Sequence, residues 1–351
     1  MRSWKTGRSP PGAPSAPSIS RAGMDGISES CRIAAWQWLH RRRRNAPHNA
    51  DIWHLRHHAH RLLPVIWQQV QDRTYRLSPM QQVSPAGPGR ESDSLMMWSA
   101  ADALVLKWVA LTVAPDLQIH PGCLHLQGGA HRAVRKVAAQ LATGRWRFVY
   151  RTDIRGYYRH IRKAMAWRVW QENTTDPACL SLIRQYLAYS TEQGGVIRTP
   201  GSGIPRGCAL SPQTGAILLR HMDRFFSERP ALFYVRYMDD VLILTQTRWP
   251  LRRAIADLNN FLNLEGFERH PDKTQAGRLE RGFDWCGVQF TAGQAPRISD
   301  RSLHMHRARC RRLDEQLRAR GMSETGIAAR VSAYRARWTI WADSVLRAAK
   351  G

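Results

Sequence analysis

The sequence predicts an α+β fold, a sheet layer backed by helices. Three observations carry that prediction. Residues 147–154 (RFVYRTDI) are rich in β-branched and aromatic side chains and read as a strand. Two short apolar runs, Phe233–Tyr237 and Val241–Leu244, flank Met238-Asp239-Asp240 in the pattern of a hairpin with acids at its tip. Segments of helical period lie before, between and after these strands, and the order strand, helices, hairpin, helix, strand gives one sheet covered by helices.

Taken in order, residues 1–30 read as a disordered basic leader. Met1 to Ala22 is rich in Pro, Ser, Gly and Arg and lacks an apolar signal core, and Met24 is an alternative start. Cys31 to Leu39 is apolar enough for a short helix and runs into four consecutive arginines, Arg41 to Arg44. Asp51 to Val70 reads as one amphipathic helix with Leu55, Leu62, Leu63 and Ile66 on a face. His54 and His58 stand four apart, as zinc ligands on a helix do, but no Glu lies between them in the metalloprotease arrangement, and a solvated or phosphate-facing surface is the better reading. Pro79 to Glu91 reads as a loop.

Ser99 is placed to cap a helix over Ala100–Val113, with Pro115 stopping it. Gly128-Gly129 opens a helix to about Ala142, whose first turns carry His131, Arg132, Arg135 and Lys136; cations at a helix N-terminus suit a phosphate. Helices are expected over Ala164–Glu172, Pro177–Ser190, Thr214–Ser227 and Pro250–Leu264, a Gly/Pro loop over Gly201–Ser211, and a final strand pair over Phe283–Phe290. Two helices, Leu303–Arg320 and Glu324–Leu346, follow around Gly321 and are basic: residues 301–351 hold 12 Lys and Arg against 4 Asp and Glu.

The formal net charge is +26, from 53 Lys and Arg against 27 Asp and Glu. Self-repulsion of that size is relieved by a polyanionic partner, and nucleic acid gains further from counterion release. Acidic membrane surface is the rival, but no window has the apolar length of a spanning helix, and no membrane role is expected. Six scattered cysteines with no close pair speak against a zinc ribbon or disulfide framework and for reduced thiols in the cytoplasm.

Two acidic positions stand where a carboxylate is costly. Asp153 ends an apolar strand, and Asp239-Asp240 lie between two apolar strands. Each alone is also what a turn-forming Asp looks like. Both together, 86 residues apart with a Gly/Pro loop and an apolar helix between, point to neighbouring strand ends whose carboxylates are compensated by divalent cations. Two Mg²⁺ ions roughly 3.5–4 Å apart are the arrangement for phosphoryl transfer.

Tyr237-Met238-Asp239-Asp240 resembles the YxDD box of reverse transcriptases. Asp153 to Ile161 (DIRGYYRHI) resembles the family's first catalytic motif, an Asp followed by two aromatics. Gly203 to Pro212 (GIPRGCALSP) resembles the template- and nucleotide-contacting loop, His270 to Thr274 (HPDKT) the motif whose Lys lies near the triphosphate, and Phe283 to Gly287 (FDWCG) the primer grip. Five motifs in order, over roughly residues 50–295, identify the chain as similar to the bacterial group II intron-like branch.

That resemblance implies a right-hand polymerase: N-terminal helices and fingers over 31–146, palm over 147–293, and a short basic thumb over 294–351. It implies Asp153, Asp239 and Asp240 as metal ligands, with the backbone carbonyl of Ile154, holding two Mg²⁺ for which Mn²⁺ can substitute. Tyr158 would stack under the sugar and exclude a ribose 2′-hydroxyl, or else pack in the core beside Tyr157. Gly207 would let the backbone approach the nascent base pair. Lys273 would neutralise or protonate pyrophosphate, or stand as a surface lysine. Arg132, Arg135, Lys136 and Lys107 are candidate contacts to triphosphate or template, and Trp285 with Phe283 would press the primer end or simply fill the core. The implied substrates are dNTPs, an RNA template and a DNA or RNA primer.

The chain departs from the family pattern in places. Arg206 stands where the family more often has Gln, adding a phosphate-binding cation. Asp102 is followed by Ala103, so the fingers base that meets the triphosphate is not assigned. Ser211-Pro212 differs from the Ser-Gln of the diversity-generating retroelement enzymes. No maturase or endonuclease extension is expected after the thumb. Competing readings are a template-independent or DNA-copying polymerase on the same palm, and an RNA-binding scaffold with dispensable catalysis. A nucleotide cyclase fails on the missing Gly-rich loop and on the charge. Mobile element, phage defence and domesticated gene remain open as biological roles.

Overall fold

A computed structural model describes residues 21–83 and 95–350, with side chains for 29–82 and 96–350. The N-terminal part is α1 (Arg21–Arg42), α2 (Asp51–His57), α3 (Ala59–Gln71), β1 (Met80–Val83), β2 (Leu95–Met97), α4 (Ala100–Thr112) and α5 (Gly129–Ala142). The helix expected from Cys31 therefore begins ten residues earlier, and residues 21–30 belong to it rather than to a disordered leader; residues 1–20 lie outside the described residues. Ala35 and Leu39 are fully buried in the core that α1 shares with α4, which supplies the nucleus from which the rest of the helix extends. The single helix expected over Asp51–Val70 is two, broken at His58 (φ −101°, ψ 20°). Pro64 lies inside α3 and cannot donate to the carbonyl of His60. Ser99 does cap α4: its hydroxyl accepts from the Asp102 N–H at 3.0 Å.

Next come β3 (Phe148–Asp153), α6 (Tyr157–His160), α7 (Lys163–Asn173), α8 (Pro177–Leu187), β4 (Thr191–Gln193), β5 (Val196–Arg198), α9 (Ser211–Leu218) and α10 (Arg220–Ser227). The helix expected over Thr214–Ser227 is thus divided at Leu219. After it stand β6 (Leu232–Tyr237), β7 (Asp240–Thr245), α11 (Arg248–Glu265), β8 (Gln275–Arg278), β9 (Phe283–Trp285), β10 (Val288–Phe290), β11 (Arg297–Ile298), α12 (Asp300–Arg318) and α13 (Glu324–Lys350).

The central sheet is antiparallel, in the order β6-β7-β3-β8. Its strands are apolar almost throughout because both faces are covered. Tyr150, Val241 and Ile243 enter one core with Leu251, Ala254 and Leu258 of α11. Val149, Leu242, Leu244 and Val235 enter the other, with Val134 and Val137 of α5, Trp285, and Val345 of α13. Each such aliphatic side chain, fully buried, contributes roughly 1.5–3 kcal/mol. A second sheet, β2-β1-β4-β5, and a third, β11-β10-β9, flank it. The third includes the strand pair expected over 283–290. The second was expected as loop at β1 and was not foreseen at β4 and β5.

α12 and α13 meet through an aromatic stack: the His306 ring lies 4.0 Å from Trp338 and 5.4 Å from Tyr334, nearly parallel to both. Gly321 separates them at φ 69°, a left-handed conformation that glycine adopts without strain. Among the described residues no helix is long and apolar enough to cross a membrane, and the six cysteines are unbridged.

Candidate active site

Strand register brings the acids together. Asp153, the last residue of β3, pairs across the ladder with Asp240, the first of β7. Asp239 is on the turn between β6 and β7, and its carbonyl accepts the Ile154 N–H at 3.0 Å. Burial first, then the Asp153 carboxylate and Asp240, push the Asp239 carboxyl up to about 6, against the pull of Lys273. Burial also raises Asp240, with Arg151 opposing it.

Two cations sit among these acids. Lys273, in a tight turn before β8, donates to Asp153 Oδ2 at 3.0 Å. Arg151 donates to Asp240 Oδ1 at 3.1 Å and lies 3.7 Å from Asp284. Among the described residues no three His, Cys, Asp or Glu side chains are arranged to hold a metal ion by themselves.

The turn that carries Asp239 is held from three sides. Met238 takes φ 57°, unusual for a side chain of its size. Arg236, fully buried in β6, donates to the Met238 carbonyl at 2.8 Å. Its remaining donors meet both oxygens of Asp223 (2.8 and 2.6 Å) and the carbonyls of Gly215 and Ala216, so the guanidinium is wholly satisfied. Tyr234 donates to the same Asp223 at 2.6 Å. His125 Nδ1 accepts the Met238 N–H at 3.2 Å.

The expected loop, Gly203 to Pro212, faces this turn. Gly203 and Ile204 donate to the carbonyls of Ile161 and Tyr158. At Gly203 an added Cβ would meet the Arg159 carbonyl at 2.7 Å, and φ is 82°. Gly207 also has positive φ, 80°, but opens onto empty space, and Arg206 beside it is exposed. Tyr158 is largely buried, its ring 5.6 Å from Tyr157. Burial and then the Asp239 carboxylate raise its phenol, opposed first by Arg236 and then by Arg206. A cleft of about 950 Å³ continues from the loop, between Trp38 and Arg42 of α1, Trp98, and Arg206.

Other expected residues are elsewhere. Arg132, Arg135 and Lys136 are on α5, which packs on β6 and α13; none bonds to the acids among the described residues, and Lys136 donates to the Pro121 carbonyl. Lys107 lies over the Trp38 ring at 5.6 Å. Trp285 is 0% exposed, so its ring is core and not a surface for a primer end. Sequence reasoning missed Arg151, Arg236 and His125. Arg236 carried a signal, a cation in the middle of an apolar strand, which is as costly as the acid on β3. His125 carried none.

An antiparallel sheet covered by helices on both faces, with acids on two adjacent strand ends, has the architecture of the palm of right-hand nucleotide polymerases. The family model described as "Reverse transcriptase (RNA-dependent DNA polymerase)" matches residues 62–290, and the chain belongs to that family. A curated relative, Protein YkfC of Escherichia coli (strain K12), is 23% identical over 45% of this chain and 51% of its own length, so the chain spans about half of the relative it matches. Among solved structures, the RNA-dependent RNA polymerase of a human picobirnavirus is 13% identical with a TM-score of 0.46, over 61% of this chain and 43% of that one. Apo telomerase from Candida tropicalis is 13% identical with a TM-score of 0.40, over 53% and 39%.

Proposed function

We propose that the protein is an RNA-directed DNA polymerase that extends a DNA or RNA primer on an RNA template, using dNTPs in the cytoplasm. The observation that carries this is the crowding of Asp153, Asp239 and Asp240 at the joined ends of β3 and β7. The donor chemistry fits a divalent cation: hard carboxylate oxygens, mutually repelling, one of them raised to about 6 by burial and by its neighbours. Asp153, Asp239 and Asp240 would hold Mg²⁺, or Mn²⁺ in its place, with the Ile154 carbonyl; the nucleotide phosphates would complete a two-ion set. Ions bound there would activate the primer 3′-hydroxyl and neutralise the departing pyrophosphate.

The chain's own residues do the rest. Lys273, tethered to Asp153 without substrate, is free to transfer its ammonium to the triphosphate once a cation takes its place. Arg151 opposes the rise that burial imposes on Asp240 and orients its carboxylate. Tyr158, whose phenol the Asp239 carboxylate raises, would use its ring to exclude a 2′-hydroxyl. Gly207 leaves room for the new base pair, and Arg206 offers a cation to the backbone. Residues 31–146 serve as N-terminal helices and fingers, 147–293 as palm and 294–351 as thumb.

Primer extension tests the reading. Purified protein with Mg²⁺ and dNTPs should extend an oligo(dT) primer on poly(rA), and Asp239→Ala should abolish synthesis while keeping RNA affinity. Extension without template, or only on DNA, would replace the proposal with the corresponding polymerase. Because Lys273 and Arg151 neutralise two of the acids, the fold can stand without a metal ion, which favours a second reading as an RNA-binding protein. A biological effect that survives in Asp239→Ala would support it.

A further inference from the structure

Residues 122–124 run beside β6 as a short added edge: the Arg236 N–H donates to the Gly122 carbonyl at 2.8 Å, and the Leu124 N–H to the Arg236 carbonyl at 2.9 Å. That edge delivers His125 to the tip of the β6–β7 hairpin, where its ring also meets the edge of Tyr237. The two imidazole nitrogens then face opposite partners. Nδ1 takes the Met238 N–H at 3.2 Å and has Cys123 Sγ at 3.5 Å. Nε2 lies 2.9 Å from the carbonyl of Pro212, the second residue of α9 and the end of the Gly203–Pro212 loop.

An amide N–H only donates, and a carbonyl only accepts. Nδ1 is therefore bare and Nε2 carries the proton, a single neutral tautomer fixed from both sides. Burial holds the imidazole at about 4, so the ring remains in that form at neutral pH. A protonated ring would lose its acceptor and leave the Met238 amide without a partner.

We infer that His125 is a positioning residue with two separable bonds: Nδ1 holds the Asp239 turn in its working setting through the Met238 amide, and Nε2 holds the end of the Gly203–Pro212 loop beside it. The inference rests on the polymerase reading of the site. Arg236 fixes the Met238 carbonyl, and His125 fixes the N–H of the same residue, whose φ of 57° is otherwise unusual. The carbonyl bond ties the turn, through Arg236, to α9 and α10; the imidazole bond reaches the end of the loop itself. With the imidazole removed, Asp239 would keep its strand neighbours and lose its register to the loop.

Two substitutions separate the two bonds. The amide oxygen of Asn overlays Nδ1, so His125→Asn keeps the acceptor for Met238 and loses the link to Pro212. The amide nitrogen of Gln overlays Nε2, so His125→Gln keeps the Pro212 link and loses the acceptor. On oligo(dT)-primed poly(rA), His125→Gln and His125→Ala should lower kcat at least tenfold, while His125→Asn stays within about threefold of wild type in kcat and raises the KM for dTTP. Amide hydrogen exchange over residues 236–241, read without substrate, should be at least tenfold faster in the Gln and Ala variants and unchanged in Asn. Equal kcat in all the proteins, or a parallel fall of kcat and melting temperature with no rescue by Asn, would overturn the inference. A wild-type protein that makes no DNA would sink the polymerase reading instead, and the exchange pattern would still decide whether the imidazole holds the turn.

Discussion

At the residue scale the site is governed by the cost of placing Asp239 where it is. Its carboxyl is raised from 3.8 to about 6, chiefly by burial and then by Asp153 and Asp240. The folded protein thus holds a proton that the unfolded chain has released between about pH 4 and 6. Stability from this group is full below the unfolded value and is lost as pH rises through 6, which makes ionised Asp239 a net cost at pH 7 on the order of 1–3 kcal/mol. Metal-free protein should therefore gain stability on acidification through pH 6, and Asp239→Asn should flatten that gain, as urea melts at pH 5 and 7 would reveal. Because a proton and a cation compete for the same oxygens, Mg²⁺ affinity should fall as pH drops below 6; titration calorimetry at pH 5.5 and 7.5 checks it. Tyr158→Ala should widen the sugar pocket and lower discrimination against ribonucleotides at least tenfold in single-nucleotide incorporation, whereas an unchanged ratio would make Tyr158 a packing residue only. The acids were legible in the sequence because a carboxylate on an apolar strand demands compensation. His125 was not, since its partners are backbone groups of residues 87 and 113 positions away that no local pattern links to it.

At the scale of elements, the buried Asp223–Arg236 pair joins α10 to β6 and, through the Met238 and Gly215 carbonyls, to the turn that carries Asp239 and to α9. Both side chains are 0% exposed. Removing one partner of such a pair leaves an uncompensated buried charge and costs about 3–5 kcal/mol. Asp223→Ala should lower the urea midpoint accordingly, and a loss below about 1 kcal/mol would mean that water or a neighbouring group replaces the carboxylate. The same pair gives the break at Leu219 a consequence: α10 starts afresh and directs Asp223 at the sheet. That break was hidden in the sequence, where 214–227 reads as one apolar helix. The long strands β3, β6 and β7 were legible because covered faces make them continuously apolar. β8 was not: Gln-Ala-Gly-Arg has no β-branched residue and becomes a strand only by pairing with β3. β4 and β5 have three residues each, too few for a period to declare itself.

At the scale of the whole molecule, the charge of +26 is the property most readily measured against function. Much of it is not consumed by internal ion pairs. The exposed Arg206 beside Gly207 and the arginines of α12 at 301, 307, 309, 311 and 312 make no ion pair among the described residues, whereas Arg318 is held by Asp314 and Glu324. Exposed cations without an acidic partner are available to phosphates. If RNA engages about seven of them, the logarithm of affinity should fall against the logarithm of salt with a slope near −0.7 per phosphate, and binding should weaken on the order of 10³-fold between 50 and 200 mM. Asp239→Asn protein is the right material, because it separates binding from synthesis and removes one negative charge from the site. Filter binding of a 30-nucleotide RNA across that salt range measures the slope, and replacing Arg307 and Arg311 together by Ser should reduce it by about one to two phosphates if α12 lies on the nucleic acid. A slope close to zero would mean that the excess charge serves something other than a polyanion, and a slope unchanged by the α12 variant would move the duplex-gripping surface away from the proposed thumb.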